Sequence, residues 1–422
     1  MKETFISFVK NQKQASIDYL QALTTIESMD LGPTTAQKMV HETMISLGLE
    51  IDEFDTDADH LKELDDYCPN NQPFHPETKN LIGYTPYKEG LPSLLVFAHI
   101  DTERHDHIGC HIEGDRLVGL GSADDKGGIA TMLLALKYYK DYYGCLPYNL
   151  ILMSVIGKRG GVGGTLIGCD RLKYTPDAGI YLHPAETGLG LNELKNISLG
   201  VLDFKLETFG SLGAPHVDLD PGISANHQLI VLASALVELN QKRLNQYGNK
   251  DEFGTKLNIG TIEGGKATGN ISQHASCMLR VHFGKSETMQ EVEDKVRACL
   301  DEAMAKHPHL FKDHAYTLSK GYLRASFAMM EKNHPLLDLL RNQITSLTGI
   351  EDFIYQAHGA SDIRLPMVLK GIPTLGIGCL CYLPTDEDKH LEWIDLNDYQ
   401  SCIEVMATTI DSWCQMNKDE TV

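Results

Sequence analysis

No stretch of this chain approaches the roughly 18 consecutive apolar residues that span a bilayer. The segment Met1–Tyr19 mixes polar and apolar residues and lacks the layout of a secretory signal. Basic charge is scarce, with 37 Lys and Arg against 58 Asp and Glu. The formal net charge of -21 argues against nucleic-acid and anionic-membrane partners, which bind through basic patches. It leaves room for a small anionic substrate in a locally positive pocket. The ten cysteines include no CxxC pair, so a zinc ribbon is not expected. Without a signal they read as reduced thiols, and a cytoplasmic location is expected. Cys379 and Cys381 stand two apart and, on a strand, pack into the core. Internal repeats and low-complexity tracts are absent. With 422 residues, 42% hydrophobic, the chain is long enough for two domains.

Hydrophobic periodicity organises the rest. Residues 3–28 and 35–48 carry apolar positions at helical spacing, and the polar, Pro-containing stretch 60–80 reads as a loop. Leu94–Ala98 and Leu150–Ile156 are continuous apolar runs, the pattern of strands buried on both faces. A helical segment, Gly127–Lys140, lies between them, and a third short strand follows at Ala178–Leu182. Strand, helix, strand at this spacing is a βαβ unit. From residue 198 the order changes to an alternating strand at Val201–Phe209, a helix at Ala225–Tyr247, strands at Lys256–Ile262 and Ala275–Phe283, and a helix at Thr288–Lys306. The α/β pattern resumes with a helix at Pro335–Leu347 and a strand at Thr374–Gly378. The expectation is a mixed-sheet α/β catalytic domain, residues 1–197 and 320–422, interrupted by an α+β domain over 198–319.

Functional groups in open α/β sheets gather at the carboxyl ends of strands. The first apolar strand runs into His99-Ile100-Asp101. Residues two apart on a strand face the same side, which suits a metal-binding His oriented by a carboxylate, or a plain His–Asp hydrogen bond. Further on, Gly119-x-Gly-x-x-Asp124-Asp125-Lys126-Gly-Gly brings carboxylates to a Gly-rich turn before a helix. Adjacent aspartates repel phosphate, so a cation site fits better.

Together these residues resemble the zinc-dependent family of carboxypeptidase G, acetylornithine deacetylase, succinyl-diaminopimelate desuccinylase and aminoacylase-1. Further matches follow in chain order. Gly210-x-x-Gly-x-Pro-His216 and Pro221-Gly222-x-x-Ala225-Asn226 are similar to the family's lid motif. Asn258-Ile-Gly260, Gly264-Gly265, Asn270 and Arg280 resemble its lid strands. Gly359-Ala-Ser-Asp362-Ile-Arg364 and Gly371-Ile-Pro-Thr374 resemble its last catalytic segment. The resemblance implies a two-metal site with His99 as first ligand, Asp124 as bridge and Asp101 behind His99. It implies a lid that mediates a homodimer, with His216 and Asn270 reaching the neighbouring active site. Arg280, Gly359 and Arg364 would then contact a small carboxylate-bearing substrate or the reacting carbonyl.

One segment departs from that pattern. A Glu-Glu pair is expected after strand 150–156, its first member the general base and its second a metal ligand. Here the chain reads Gly157-Lys158-Arg159-Gly160-Gly161. The acidic ligand expected before a Pro is His183, and the place of the C-terminal His falls on Asp386, with His390 or Tyr382 as alternatives. A site of His99, Asp124 and His183 still forms a legitimate two-His, one-carboxylate set for Zn2+, with Mn2+ or Fe2+ as alternatives, or no metal. Arg159 substitutes electrostatically for the second ion by holding Asp124 or a substrate oxygen. Lys158 acts as a base only if burial or neighbouring cations lower its pKa; otherwise it is a nucleophile or binds a substrate carboxylate or phosphate. His105, His107 and His111 read as a surface loop, and Glu186 as a spare carboxylate. Three functions stay open: hydrolysis of an amide bond in a small N-acyl amino acid or peptide with one ion per chain, an inactive homologue that binds a ligand, and a lyase, transferase or isomerase reaction using Lys158.

Overall fold

The computed structural model describes residues 3–28, 34–56, 58–61, 64, 66–67, 78–102, 109–156, 162–185, 188–213, 222–248, 255–312, 315–382 and 392–416. The chain divides into two compact units, Met1–Ile197 with Met329–Val422, and Ser198–Ala328. The second boundary falls beyond the expected residue 319. Thr317–Ala325 is a strand hydrogen-bonded to Glu193–Phe209, Leu318 facing Leu206, so it belongs to the inserted unit's sheet.

In the larger unit, strands follow the order Glu50–Phe54, Asn80–Tyr84, Leu150–Val155, Leu94–His99, Ala178–Leu182, Thr374–Ile377, and then the start of Glu193–Phe209. The four central members are parallel and their flanking neighbours antiparallel. Both apolar runs are buried at every position. Leu94, Val96 and Ala98 join one core, whereas Leu95 and Phe97 join another on the opposite face. That division explains why these strands carry no polar alternation. The first face is covered by helices Phe5–Lys10, Lys13–Thr25, Lys126–Tyr143 and Leu396–Trp413, and the second by Gly163–Arg171 and Arg364–Lys370. The expected first helix is therefore two, interrupted at Asn11-Gln12. Cys379 and Cys381 are both buried in the first core.

The inserted unit packs helices Ala225–Tyr247 and Met289–Lys306 on an antiparallel sheet. Thr288 and Glu291 form a capping box that starts the second helix, satisfying two otherwise unpaired backbone donors. Buried Arg243 pairs with buried Glu287 at 2.7 Å and ties the first helix to the approach of the second. Among the described residues, no helix is long and apolar enough to cross a membrane.

Gly127 and Gly128 let the helix Lys126–Tyr143 begin directly beneath the sheet. A Cβ on Gly128 would stand 2.3 Å from the Leu182 carbonyl oxygen and 2.6 Å from Asp125 Oδ1. Gly128→Ala is accordingly expected to destabilise the protein by about 1–3 kcal/mol. Gly269→Ala, whose new Cβ meets nothing within 4 Å, should change stability by less than about 0.5 kcal/mol. Urea unfolding of the two variants checks the contrast.

Candidate metal centre

The register of the parallel strands builds the site. Phe97 pairs with Tyr181, so His99 and His183, each two residues further on, emerge at the same level from neighbouring strands. Asp124 arrives from the Gly-rich loop. Its Oδ1 lies 2.9 Å from His99 Nε2 and 3.7 Å from His183 Nε2, and the three ligating atoms all lie within 4.8 Å of one another. Both histidines are 1% exposed.

His99 is oriented from behind. Its Nδ1 lies 2.9 Å from the Asp101 backbone carbonyl, while the Asp101 carboxylate stands 3.6 Å away. With the backbone carbonyl accepting from Nδ1–H, Nε2 would be the nitrogen that offers a lone pair to an ion at the centre. Of the two Asp101 groups facing the ring, the main-chain carbonyl is at the shorter distance. Asp125 Oδ2 lies 3.9 Å from the same Nε2.

The loop that carries Asp124 is held by a residue from the other end of the chain. Buried Glu392 accepts backbone N–H bonds from Gly121 at 2.8 Å, Ala123 at 2.9 Å and Asp124 at 3.0 Å. Burial pushes its carboxyl up to about 7, against the pull of those three donors. Below the loop, Lys126 is buried and donates to the Ile26 carbonyl. Burial lowers its ammonium to about 8, with Glu392 opposing the change. Tyr181 stacks on Phe97 with ring centroids 4.9 Å apart. Its phenol is pushed well above its ordinary range by burial and then by Asp362, Asp125, Asp124 and Asp101. The ends of these strands thus carry a negative field suited to a cation.

The donor set fits a transition metal. Ligands about 2.0–2.1 Å from tetrahedral zinc stand roughly 3.3 Å apart, and the Asp124 distances to the two histidines bracket that spacing. Imidazole and carboxylate are donors that zinc, manganese and iron share.

Other expected site residues have different surroundings. Arg364 is corrected from a substrate ligand to a structural lock. It is 0% exposed, and its guanidinium donates to Asp66 Oδ1 at 3.0 Å, the Asp66 carbonyl at 3.1 Å, and the Ala360 and Ser361 carbonyls at 3.0 and 2.9 Å. Arg280 lies opposite Asp203 in the strand register, and its Nε and one terminal nitrogen donate to that carboxylate at 2.7 and 2.8 Å, with the side chain still partly exposed. Gly359 ends the strand Ile354–Gly359 and is exposed. Asn270 lines a cavity of about 860 Å3 in the inserted unit with Lys266, Glu263 and His274. Tyr382 stacks on Trp393, and His111 is exposed on a short strand. Lys158, Arg159, His216 and Asp386 lie outside the described residues, as do His105, His107, Glu186 and His390.

Sequence reasoning missed several neighbours. His358 packs edge-on against His183, with centroids 4.8 Å apart. Lys195 and Glu193 are buried behind His183. Two charges at alternate positions of a buried strand were the available signal for that pair; His358, just before the Gly359 motif, had none.

The family model described as peptidase family M20/M25/M40 matches residues 95–412. The chain is 23% identical over 392 residues to an N-formyl-4-amino-5-aminomethyl-2-methylpyrimidine deformylase of Bacillus subtilis, covering 86% of this chain and 89% of the relative. It is 26% identical over 309 residues to a succinyl-diaminopimelate desuccinylase of Methylobacterium radiotolerans, covering 69% and 74%. In structure it is similar to an aminopeptidase of Bacillus cereus, with a TM-score of 0.73, 19% identity, and coverage of 96% and 99%.

Two outcomes follow from this geometry. Arg364→Ala is expected to destabilise the protein by about 3–5 kcal/mol, because Asp66 is left buried without its cation. Arg364→Lys should not restore it, since one ammonium cannot span four acceptors; thermal and urea unfolding decide. Glu392 titrates near 7 when folded and near 4.5 when unfolded, so between those values the unfolded chain holds fewer protons. Its contribution to the free energy of unfolding therefore falls as pH rises through that window. Glu392→Gln should flatten that part of the stability–pH curve, as read by denaturant unfolding at a series of pH values.

Proposed function

Because the chain belongs to peptidase family M20/M25/M40 and is a hydrolase of that family, we propose that it cleaves an amide bond in a small N-acyl amino acid or peptide. In this reading it uses a remodelled site with one divalent ion per chain, held by His99, Asp124 and His183. The convergence of those three side chains, the two histidines buried and Asp124 partly so, carries the reading. A bound ion would supply Lewis-acid polarisation of the scissile carbonyl. The chain's own residues supply the rest. Asp101 keeps His99 turned to the centre, and Glu392 fixes the loop that presents Asp124. The strand end at Val155, paired with His99, leads into Lys158 and Arg159. In this reading Arg159 takes the electrostatic place of a second ion, and Lys158 contacts the substrate carboxylate or moves a proton. The deformylase and desuccinylase relatives, by their names, remove small acyl groups from nitrogen, which supports an amide of that size.

We further propose a homodimer through the inserted unit. The strand Leu257–Gly264 ends its sheet and exposes most of its length, including Ile262 at 66%. A specific observation favours a rival reading, a ligand-binding homologue without turnover: the position that activates water in the family is here a lysine.

Elemental analysis of untagged protein tests the proposal. About one tightly held ion per chain, lost in His99→Ala and Asp124→Asn, is expected, together with turnover of some member of a panel of N-formyl, N-acetyl and N-succinyl amino acids and dipeptides. Two ions would sink the assignment of Arg159. No ion after zinc is supplied would sink the metal reading, and an ion without turnover would favour the binding role. Lys158→Glu with Arg159→Glu is expected to raise the metal content towards two.

A further inference from the structure

The two histidines of the centre are backed by opposite chemistry. His99 has a carbonyl behind Nδ1, the usual support of a metal-ligating imidazole. His183 has an ammonium. Lys195 Nζ stands 3.3 Å from His183 Nδ1, donates to the Pro184 carbonyl, and lies 3.4 Å from Glu193 Oε1. His183, Lys195 and Glu193 are 1%, 3% and 2% exposed.

The strand arrangement explains how a lysine arrives there. Glu193 and Lys195 are two apart at the start of their strand and share a face. Lys195 pairs with Gly376 on the neighbouring strand, and Gly376 pairs on its other side with Tyr181, two residues before His183. A Cβ on Gly376 would stand 3.2 Å from the lysine Cβ and 3.5 Å from its Cδ. The missing side chain opens a lane across the strand from Lys195 to the imidazole.

An ammonium has three donors and no acceptor. Facing Nδ1, it requires a lone pair on that nitrogen. A proton on Nδ1 would set N–H against the lysine N–H at 3.3 Å; the Pro184 carbonyl, which also accepts from the lysine, stands at the longer distance of 3.4 Å from Nδ1. We propose that Lys195 is a positioning residue that holds His183 with Nδ1 as acceptor and the proton on Nε2 towards Asp124, which makes His183 a weaker metal ligand than His99. The tautomer stands on the geometry alone; its consequence for a metal rests on the function proposed above. An ion entering the centre must take the place of the Nε2 proton on a ring backed by positive charge. His99 and Asp124 would hold such an ion more firmly than His183 would.

Imidazole nitrogen NMR of the full chain, histidine-labelled and stripped of metal, tests the tautomer, with His183→Gln identifying the resonances. The expected spectrum has His183 protonated at Nε2 and accepting at Nδ1. In Glu193→Gln/Lys195→Met, which removes both charges and nearly keeps the volume, the proton should move to Nδ1. Lys195→Arg, which keeps a cationic donor, should retain the original tautomer. A wild-type His183 protonated at Nδ1, or a proton that stays on Nε2 in the double variant, overturns the positioning role. The wild-type spectrum is decisive even if the double variant does not fold. Zinc titration against a fluorescent chelator reads the consequence: the double variant should bind at least about tenfold more tightly, in the range by which such supporting contacts tune affinity. Equal or weaker binding overturns the weakening. Failure of both proteins to bind zinc removes the metal reading and leaves the tautomer result standing.

Discussion

Backbone hydrogen bonding between the parallel strands Leu94–His99 and Ala178–Leu182 sets the level at which the two histidines of the centre appear. The pairing of Phe97 with Tyr181 brings His99 and His183 out side by side. A slip of one residue would turn one imidazole to the opposite face. Both strands are buried on two sides, so such a slip would also exchange residues between two packed cores. The apolar packing around Leu94–Ala98 thereby secures the geometry of polar groups at the strand's end.

Burying that much charge is costly, and the molecule offsets the cost locally. Glu392 takes three backbone donors of the Asp124 loop, and Lys126 a backbone carbonyl next to the first helices. Each buried charge is thus tied to main chain from a distant part of the sequence. The result joins residue 26, the loop at 121–124 and residue 392 into one support under Asp124. Arg364 does the same at the far side of the sheet, closing Asp66 and the turn at 360–361 around one guanidinium.

The two sides of the centre differ in electrostatic character. His99 is supported by a carbonyl and faced by carboxylates. His183 is supported by a lysine and touched by a further histidine, His358. A site with one firm and one softened imidazole is a different object from two equivalent histidines.

Much of this was legible in the chain. The continuous apolar runs, the His-x-Asp step and the Gly-rich Asp124 turn identify the α/β unit and its His99–Asp124 pair, because strand burial and turn chemistry are local properties of neighbouring residues. The expectation that Lys158 and Arg159 stand in place of a glutamate pair rests on the sequence alone. Partner choice was not legible. An arginine in a suggestive motif reads as a substrate ligand until Asp66, far away in the chain, is seen to consume it. Glu392 looks like any strand-edge acid, and Lys195 like a charge out of place, until the sheet brings them to the Asp124 loop and to His183. Local pattern determined which elements form and where chemistry can sit. Only the tertiary structure decided which charges meet, because long-range pairing depends on strand register and on space left by residues such as Gly376, and neither is written in the immediate neighbours of the residues concerned.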